Sequence, residues 1–271
     1  MTDLKFLCPI NLSNKLRLGN QHDGGYVVYK PILYETDVLI TYGVGYDVSF
    51  EESFNELTGK KVLMYDPTIL DDQIDHSTKI SFLKKGKFVK WYQYTRFKNY
   101  WKQKLEYLRK KNIYFINEGI SVVEKTKYNT FEKHLKNNHI VQGKVLLKID
   151  IEGNEYDIFA EDCFYENLQI VNQIIIEFHD LKNKLRLLKS IICRLKNDFE
   201  IIHIHGCNFA ETFTLYTFDS DIIFPDVVEV TLVRKELIRK EDILVESVLY
   251  PVDGLDYPCN PKNDDIPLKF N

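Results

Sequence analysis

The stretch Val38-Leu39-Ile40-Thr41-Tyr42-Gly43-Val44-Gly45-Tyr46-Asp47 constrains this chain more than any other. An apolar run of strand length passes into two glycines one residue apart, then into Ser49-Phe50-Glu51-Glu52-Ser53-Phe54, which can open a helix. Glycine at such a turn lets the backbone approach a ligand closely, and the amides at a helix start favour negative charge. The next apolar run, Lys61 to Tyr65, closes on Asp66, an acid placed to accept hydrogen bonds from a ribose diol. Strand, glycine turn, helix, strand and acid together predict a pocket for an adenosine-containing cofactor.

Strand-like runs recur at Asp37 to Thr41, Lys61 to Tyr65, Ile113 to Asn117, Val145 to Ile149, Gln173 to Phe178, Phe199 to Ile204 and Val227 to Val233. Most are short, continuous and β-branched, which reads as strands buried on both faces of a parallel sheet. Helical patterns lie between several of them, as at Glu155 to Phe164 and Leu181 to Leu195. The alternation predicts an α/β sheet with right-handed crossovers. No long helix joins the last two runs, so the final strand is expected to run antiparallel beside its predecessor.

With 271 residues, 44% of them hydrophobic and 28% charged, the chain suits one soluble domain with room for an insertion. We expect a single domain over 1–271, with an N-terminal extension at about 1–35 and a basic aromatic insertion at about 68–112. The formal net charge of -4 argues against wholesale nucleic-acid binding. Five scattered cysteines with no CxxC pair suit reduced thiols better than a disulfide framework or a zinc site. Met1 to Phe6 does not read as a signal peptide, and no run approaches the length of a membrane helix. A cytoplasmic protein without membrane insertion is therefore expected.

Within the insertion, Lys84 to Lys111 carries eleven Lys/Arg residues against the single acid Glu106, interleaved with aromatic residues. Tyr94, Phe97, Trp101, Leu105 and Leu108 fall at helical spacing. Three readings stand side by side: a solvated amphipathic helix, a basic lid over an anionic substrate such as a nucleotide diphosphate sugar, or an RNA-binding face.

Three strand ends carry the candidate chemistry: Lys148-Ile149-Asp150-Ile151-Glu152-Gly153, Glu177-Phe178-His179-Asp180, and His203-Ile204-His205-Gly206. Ligands of an open α/β sheet lie outside the carboxyl ends of its strands. Asp150, Glu177, His179 and His205 are therefore the predicted catalytic residues. Either histidine can take a proton from an attacking hydroxyl, or Asp150, Glu177 and a histidine can hold a divalent cation that acidifies it. A divalent metal is compatible with this set but is not predicted. His22, His76, His134 and His139 lack such a context and read as surface residues. Asp23-Gly24-Gly25 before an apolar pair reads as a hairpin turn, close enough to the glycine loop to wall the same pocket.

With those residues in hand, the chain resembles the FkbM-type S-adenosylmethionine-dependent methyltransferases. The resemblance runs through Asp23-Gly24-Gly25-Tyr26, Gly43 to Glu51, Asp66-Pro67-Thr68-Ile69, Gly119-Ile120-Ser121, Lys148 to Gly153, Glu177-Phe178-His179 and His203 to Gly206. It continues in Pro225 to Thr231 and Leu255-Asp256-Tyr257-Pro258. It implies a Rossmann-like methyltransferase fold, with a mostly parallel seven-stranded sheet, an antiparallel last strand and helices on both faces. It implies S-adenosylmethionine as cofactor and methyl transfer to oxygen. Gly43 and Gly45 would approach the methionine part, Asp66 would hold the ribose, Gly119 and Ile120 would border the adenine, and Asp150 would lie beside sulfonium and acceptor. Asp23, Gly24, Gly25, Asp47, Ser49 and Pro67 complete the expected cofactor-binding set.

The acceptor implied is a small-molecule carbohydrate, either a sugar nucleotide or a precursor of a surface polysaccharide such as capsule or lipopolysaccharide. Nucleic acid is not the expected partner, and a homo-oligomer is compatible with the sequence. Two alternatives stand: a nicotinamide-dependent sugar-nucleotide oxidoreductase or epimerase, and a non-catalytic nucleotide- or RNA-binding module. Against the first, Val48 occupies the third glycine position of GxGxxG.

Overall fold

The computed structural model describes residues 4–69, 72–85, 87–216, 221–246 and 248–270. A hairpin comes first, β1 (Lys15–Gly19) and β2 (Gly25–Tyr29). The glycine turn then joins β3 (Val38–Tyr42) to α1 (Ser49–Thr58), which is followed by β4 (Lys61–Tyr65). Helices α2 (Asp72–Lys84) and α3 (Phe88–Lys110) lie in the insertion and lead to β5 (Ile113–Ile116). Short strands β6 (Gly119–Ile120) and β7 (Tyr128–Asn129) precede α4 (Phe131–Asn137) and β8 (Val145–Ile149). Next come α5 (Glu155–Ile158), α6 (Asp162–Glu166), β9 (Val171–Phe178), α7 (Leu181–Leu195) and β10 (Phe199–Gly206). A second hairpin, β11 (Thr212–Tyr216) and β12 (Asp221–Pro225), returns the chain into β13 (Val228–Arg234).

All seven expected strands form one sheet in the order β10-β13-β9-β8-β3-β4-β5. Pairing is parallel from β9 through β5, and β13 runs antiparallel to both of its neighbours. A strand reached through a hairpin-like return rather than a helix must reverse direction. It does more than lie beside its predecessor, because it inserts between β9 and β10. This is the Rossmann-like methyltransferase arrangement, with its single reversed strand.

Alternation along the strands sets the two layers. Val38, Ile40, Tyr42, Leu147, Ile149, Ile174 and Ile176 pack with side chains of α4 to α7. Leu39, Val62, Met64, Leu146 and Ile175 face Phe50 and Phe54 of α1, Trp101 and Leu108 of α3, and Tyr26 and Val28 of the first hairpin. By the same alternation, Thr41, Lys148, Gln173, Glu177, Glu229 and Thr231 share this second face. Two of these polar residues satisfy the docked hairpin, whose inward backbone groups have no strand beside them. Gln173 Oε1 accepts from the Tyr29 N–H at 2.7 Å, and Thr231 Oγ1 donates to the Val27 carbonyl at 2.7 Å.

The helix expected over Glu155 to Phe164 is broken into α5 and α6, with Glu161 extended between them. In one continuous helix, Phe159 and Phe164 would diverge by about 140° around the axis. The break brings their rings to 4.9 Å of each other, under the sheet beside Phe178. The expected stripe on α3 also shifts. Trp101 and Leu108 are buried, but Phe97 is 41% exposed and Lys98 is buried in its place, donating from Nζ to the Ile69 carbonyl.

Candidate active site

The glycine turn sits where β3 meets β8. A Cβ on Gly43 would lie 1.5 Å from the Asp150 carbonyl oxygen, so only glycine lets these two strand ends close. Gly45 meets nothing within 4 Å but has φ +58, so its requirement is conformational. Its N–H donates to Asp66 Oδ2 at 2.9 Å, while Oδ1 accepts from the Thr68 N–H, the Thr68 hydroxyl and the Ile69 N–H. Asp66 thereby shapes both loops around itself and keeps acceptor capacity on Oδ2.

Two cavities meet along Gly43, Asp66, Thr68, Asp150 and Glu152. One, of about 390 Å³, is walled by Pro67, Gly119, Ile120, Val122, Tyr128 and Ile158. Gly119 makes room for this wall, since a Cβ there would come within 2.5 Å of the Tyr128 ring. The other, of about 650 Å³, is lined by Asp23, Gly24, Tyr26, Gly45, Tyr46, Asp47, Lys148, Glu177, His179, Cys207 and Phe209, among others. The hairpin turn closes its outer side. Asp47 accepts from Asn20 Nδ2 and from the Ser49 N–H, and Ser49 Oγ accepts from the Asn20 N–H at 3.0 Å.

A row of ionisable groups crosses the sheet at this end: Asp150 after β8, Glu177 on β9, Glu229 on β13 and His205 on β10. Tyr26 OH bridges the first two, donating toward Asp150 Oδ2 at 3.2 Å and Glu177 Oε2 at 3.4 Å. Burial and those two carboxylates raise the Tyr26 pKa well above its ordinary value, so it keeps its proton. Lys148 Nζ lies 3.5 Å from Asp150 Oδ2 and 4.5 Å from the centre of the Tyr26 ring. Burial opposes its charge, but Asp150, Glu51 and Glu177 outweigh burial and raise its pKa. Burial and then Asp150 push Glu177 up to about 8.

His179 stands over this row. Its Nδ1 is 3.1 Å from Glu155 Oε1, and its Nε2 is 3.4 Å from Glu177 Oε1, 3.6 Å from Glu152 Oε2 and 3.9 Å from Asp150 Oδ1. Burial disfavours the imidazolium, yet Glu155 and Glu177 outweigh it and raise the pKa to about 11. Asp150, Glu152 and His179 also lie close enough to share a metal ion.

Of the residues singled out from sequence, Asp23, Gly24, Gly43, Gly45, Asp47, Asp66, Asp150, Glu177 and His179 line the second cavity, and Pro67, Gly119 and Ile120 line the first. Gly25 and Ser49 stand behind the wall, where a Cβ on Gly25 would lie 1.9 Å from the Asn20 carbonyl oxygen. His205 is 1% exposed and is not among the lining residues, because Glu229 on the inserted strand separates it from Glu177. His134 is not a surface residue. Helical spacing from Phe131 turns it inward to 1% exposure, where it bonds the Tyr42 hydroxyl at 3.0 Å and Glu118 at 3.3 Å. His22 is half-buried, with Nδ1 2.8 Å from the Pro258 carbonyl, His139 is exposed, and the side chain of His76 lies outside the described residues. Tyr26, Lys148, Glu51 and Glu229 join the site without having been singled out. For Lys148 and Glu229 a signal existed, a single charge inside an otherwise apolar strand.

The family described as Methyltransferase FkbM domain matches residues 18–202, about two thirds of the chain. No curated protein matches. Among solved structures, an rRNA methylase from Streptococcus thermophilus aligns at 13% identity and TM-score 0.37, over 75% of this chain and 92% of that one. A precorrin-6y C5,15-methyltransferase from Geobacter metallireducens GS-15 aligns at 10% identity and TM-score 0.36, over 74% of this chain and 82% of its own. A fibrillarin pre-rRNA processing protein from Methanococcus jannaschii aligns at 11% identity and TM-score 0.34, over 74% of this chain and 68% of its own.

Proposed function

The chain belongs to the FkbM methyltransferase domain family, and from that premise we propose that it methylates a hydroxyl of an anionic carbohydrate, a sugar nucleotide or a surface-polysaccharide precursor. Its cofactor is S-adenosylmethionine, which when bound supplies an electrophilic methyl carbon. The residues present fit that group. Pro67, Gly119 and Ile120 would flank the adenine, and Asp66 Oδ2 would take a ribose hydroxyl. The backbone of Gly43 to Gly45 would border the methionine part, with Asp23, Gly24 and Asp47 as its outer wall. Gly25 and Ser49 would serve by holding that wall in place.

What carries the acceptor assignment is the carboxylate lining of the second cavity by Asp23, Asp150, Glu152 and Glu177. Ionised carboxylates only accept hydrogen bonds, and Glu177, protonated below about pH 8, can also donate one. The set therefore suits a ligand rich in hydroxyls, while its charged members oppose a phosphate brought to the same place. An anionic part of the acceptor would extend toward α3, whose Phe97 and Trp101 pack against Tyr46 of the cavity and which carries the exposed cations Lys90 and Arg96.

The proton of the attacking hydroxyl would go to Glu177. With a pKa raised to about 8, it can act as a base near neutrality, whereas His179 already holds its proton between Glu155 and Glu177. His179 and Tyr26 would orient Glu177 and Asp150, and Asp150 would fix the acceptor. His205 would act only through Glu229. Holding the two reactants in attack geometry can contribute roughly 7–11 kcal/mol in favourable cases, which makes this rigid frame the larger part of the catalysis.

The test is transfer from methyl-labelled S-adenosylmethionine to nucleoside-diphosphate sugars and, in parallel, to RNA. A labelled O-methyl ether on a sugar supports the proposal. Label in RNA with none in any sugar nucleotide overturns the acceptor class while leaving the cofactor in place. Calorimetric binding of S-adenosylhomocysteine, with none of NAD(H), checks the cofactor separately.

A further inference from the structure

Outside the methyl-transfer cavity, a second cluster joins the end of β10 to the C-terminal segment. His205, Glu229 and Cys259 are all buried, and one ligand atom from each lies within 4.8 Å of the others. Cys207, also buried, packs with Cys259 and Val227 in one small cluster. Both thiols are free.

The imidazole of His205 is held from behind. Its Nε2 lies 3.0 Å from both carboxylate oxygens of Asp265, which fixes the ring. Its Nδ1 is buried, makes no hydrogen bond, and lies 3.5 Å from Glu229 Oε2. A carboxylate on one imidazole nitrogen, with the other aimed at a group of anionic donors, is the arrangement that orients histidine ligands toward metals. Cys259, His205 and Glu229 bring one thiol, one imidazole and one carboxylate together. Cys207, packed beside Cys259, offers a second thiol, so the donors reach the number and softness that suit tetrahedral zinc.

We propose that Cys207, Cys259, His205 and Glu229 bind one zinc ion, which clamps the C-terminal segment onto the sheet. The segment is already tied down on either side. His203 Nε2 lies 2.7 Å from Asp256 Oδ1, and Asn208 bonds the carbonyls of Asn260, Asn263 and Asp264. The ion would sit between these ties. Cys207 also lines the acceptor cavity, so the clamp would stiffen one wall of it. Zinc binding would release the protons of the thiols as they become thiolates.

The experiment uses the full chain, treated with reductant and chelator, desalted, and titrated with cobalt(II) as a spectroscopic substitute for zinc. The expected result is thiolate-to-cobalt charge-transfer absorption saturating at one ion per chain, displaced by zinc, with protons released. Asp265→Asn should weaken binding by about 10–100-fold, the usual effect of losing such a partner. Cys259→Ser should remove most of the charge-transfer band. The wild-type spectrum decides the matter even if a variant fails to fold. Cobalt bound at Asp150, Glu152 and His179 would show no such band, because that cluster has no sulfur. Absence of the band in the folded wild-type chain overturns the site. So does a reduced chain that takes up no ion and re-forms a Cys207–Cys259 disulfide by mass mapping.

Discussion

Glu177 concentrates the chemistry at the scale of the residue. It is faced by Asp150 from β8, Glu229 from β13, Tyr26 from β2, and His179 just beyond its own strand. A base must be deprotonated to act, so a pKa of about 8 predicts that turnover rises with pH through that value. Glu177→Gln should lose about 10²–10⁴-fold in kcat together with that rising limb, while S-adenosylhomocysteine affinity changes little. A profile flat across that value in the wild type would remove Glu177 from the role. The two glycines of the turn show how differently one residue type can be required. Both have positive φ, but Gly43 is needed for space against the Asp150 carbonyl as well, a difference their nearness in sequence did not reveal.

Among the elements, the β1–β2 hairpin explains why polar residues interrupt apolar strands. Gln173 lies in the middle of a buried strand and is 1% exposed, yet it serves the hairpin by accepting the Tyr29 N–H. Gln173→Leu should leave that donor unpaired and lower stability by about 1–3 kcal/mol in urea unfolding. Because Tyr26 reaches Asp150 and Glu177 from the same hairpin, the substitution should also lower kcat; unchanged stability would mean that the Thr231 bond and the apolar contacts hold the hairpin without Gln173. Helix α3 was legible as a helix from its spacing, but the exchange of Phe97 for Lys98 on its inner face was not. That exchange depends on the Ile69 carbonyl, an acceptor supplied by a different loop.

For the molecule as a whole, both ends of the chain close on the same sheet. Asp242 accepts from Tyr29, Asn14 and Ser13, Leu12 bridges Ile243, and Asp256 binds His203. We propose one folding unit over the full length. Calorimetry and circular dichroism should then report a single coincident thermal transition, and two separated transitions would divide the chain. The strands, the glycine turn with Asp66, and α7 were readable in the sequence because each depends on local pattern, β-branched runs of strand length and apolar spacing along a helix. The order of the strands at the site was not. Phe199 to Ile204 follows Gln173 to Phe178 in sequence, which suggested that His205 would share a cleft with Glu177. Strand β13, formed later in the chain, takes the place between them and sets Glu229 there instead. The meeting of Tyr26 with Asp150, and of Cys207 with Cys259, was likewise decided by tertiary structure. Which distant segments pair is settled by hydrogen bonding and burial shared across the whole sheet, and no local window of sequence contains that competition.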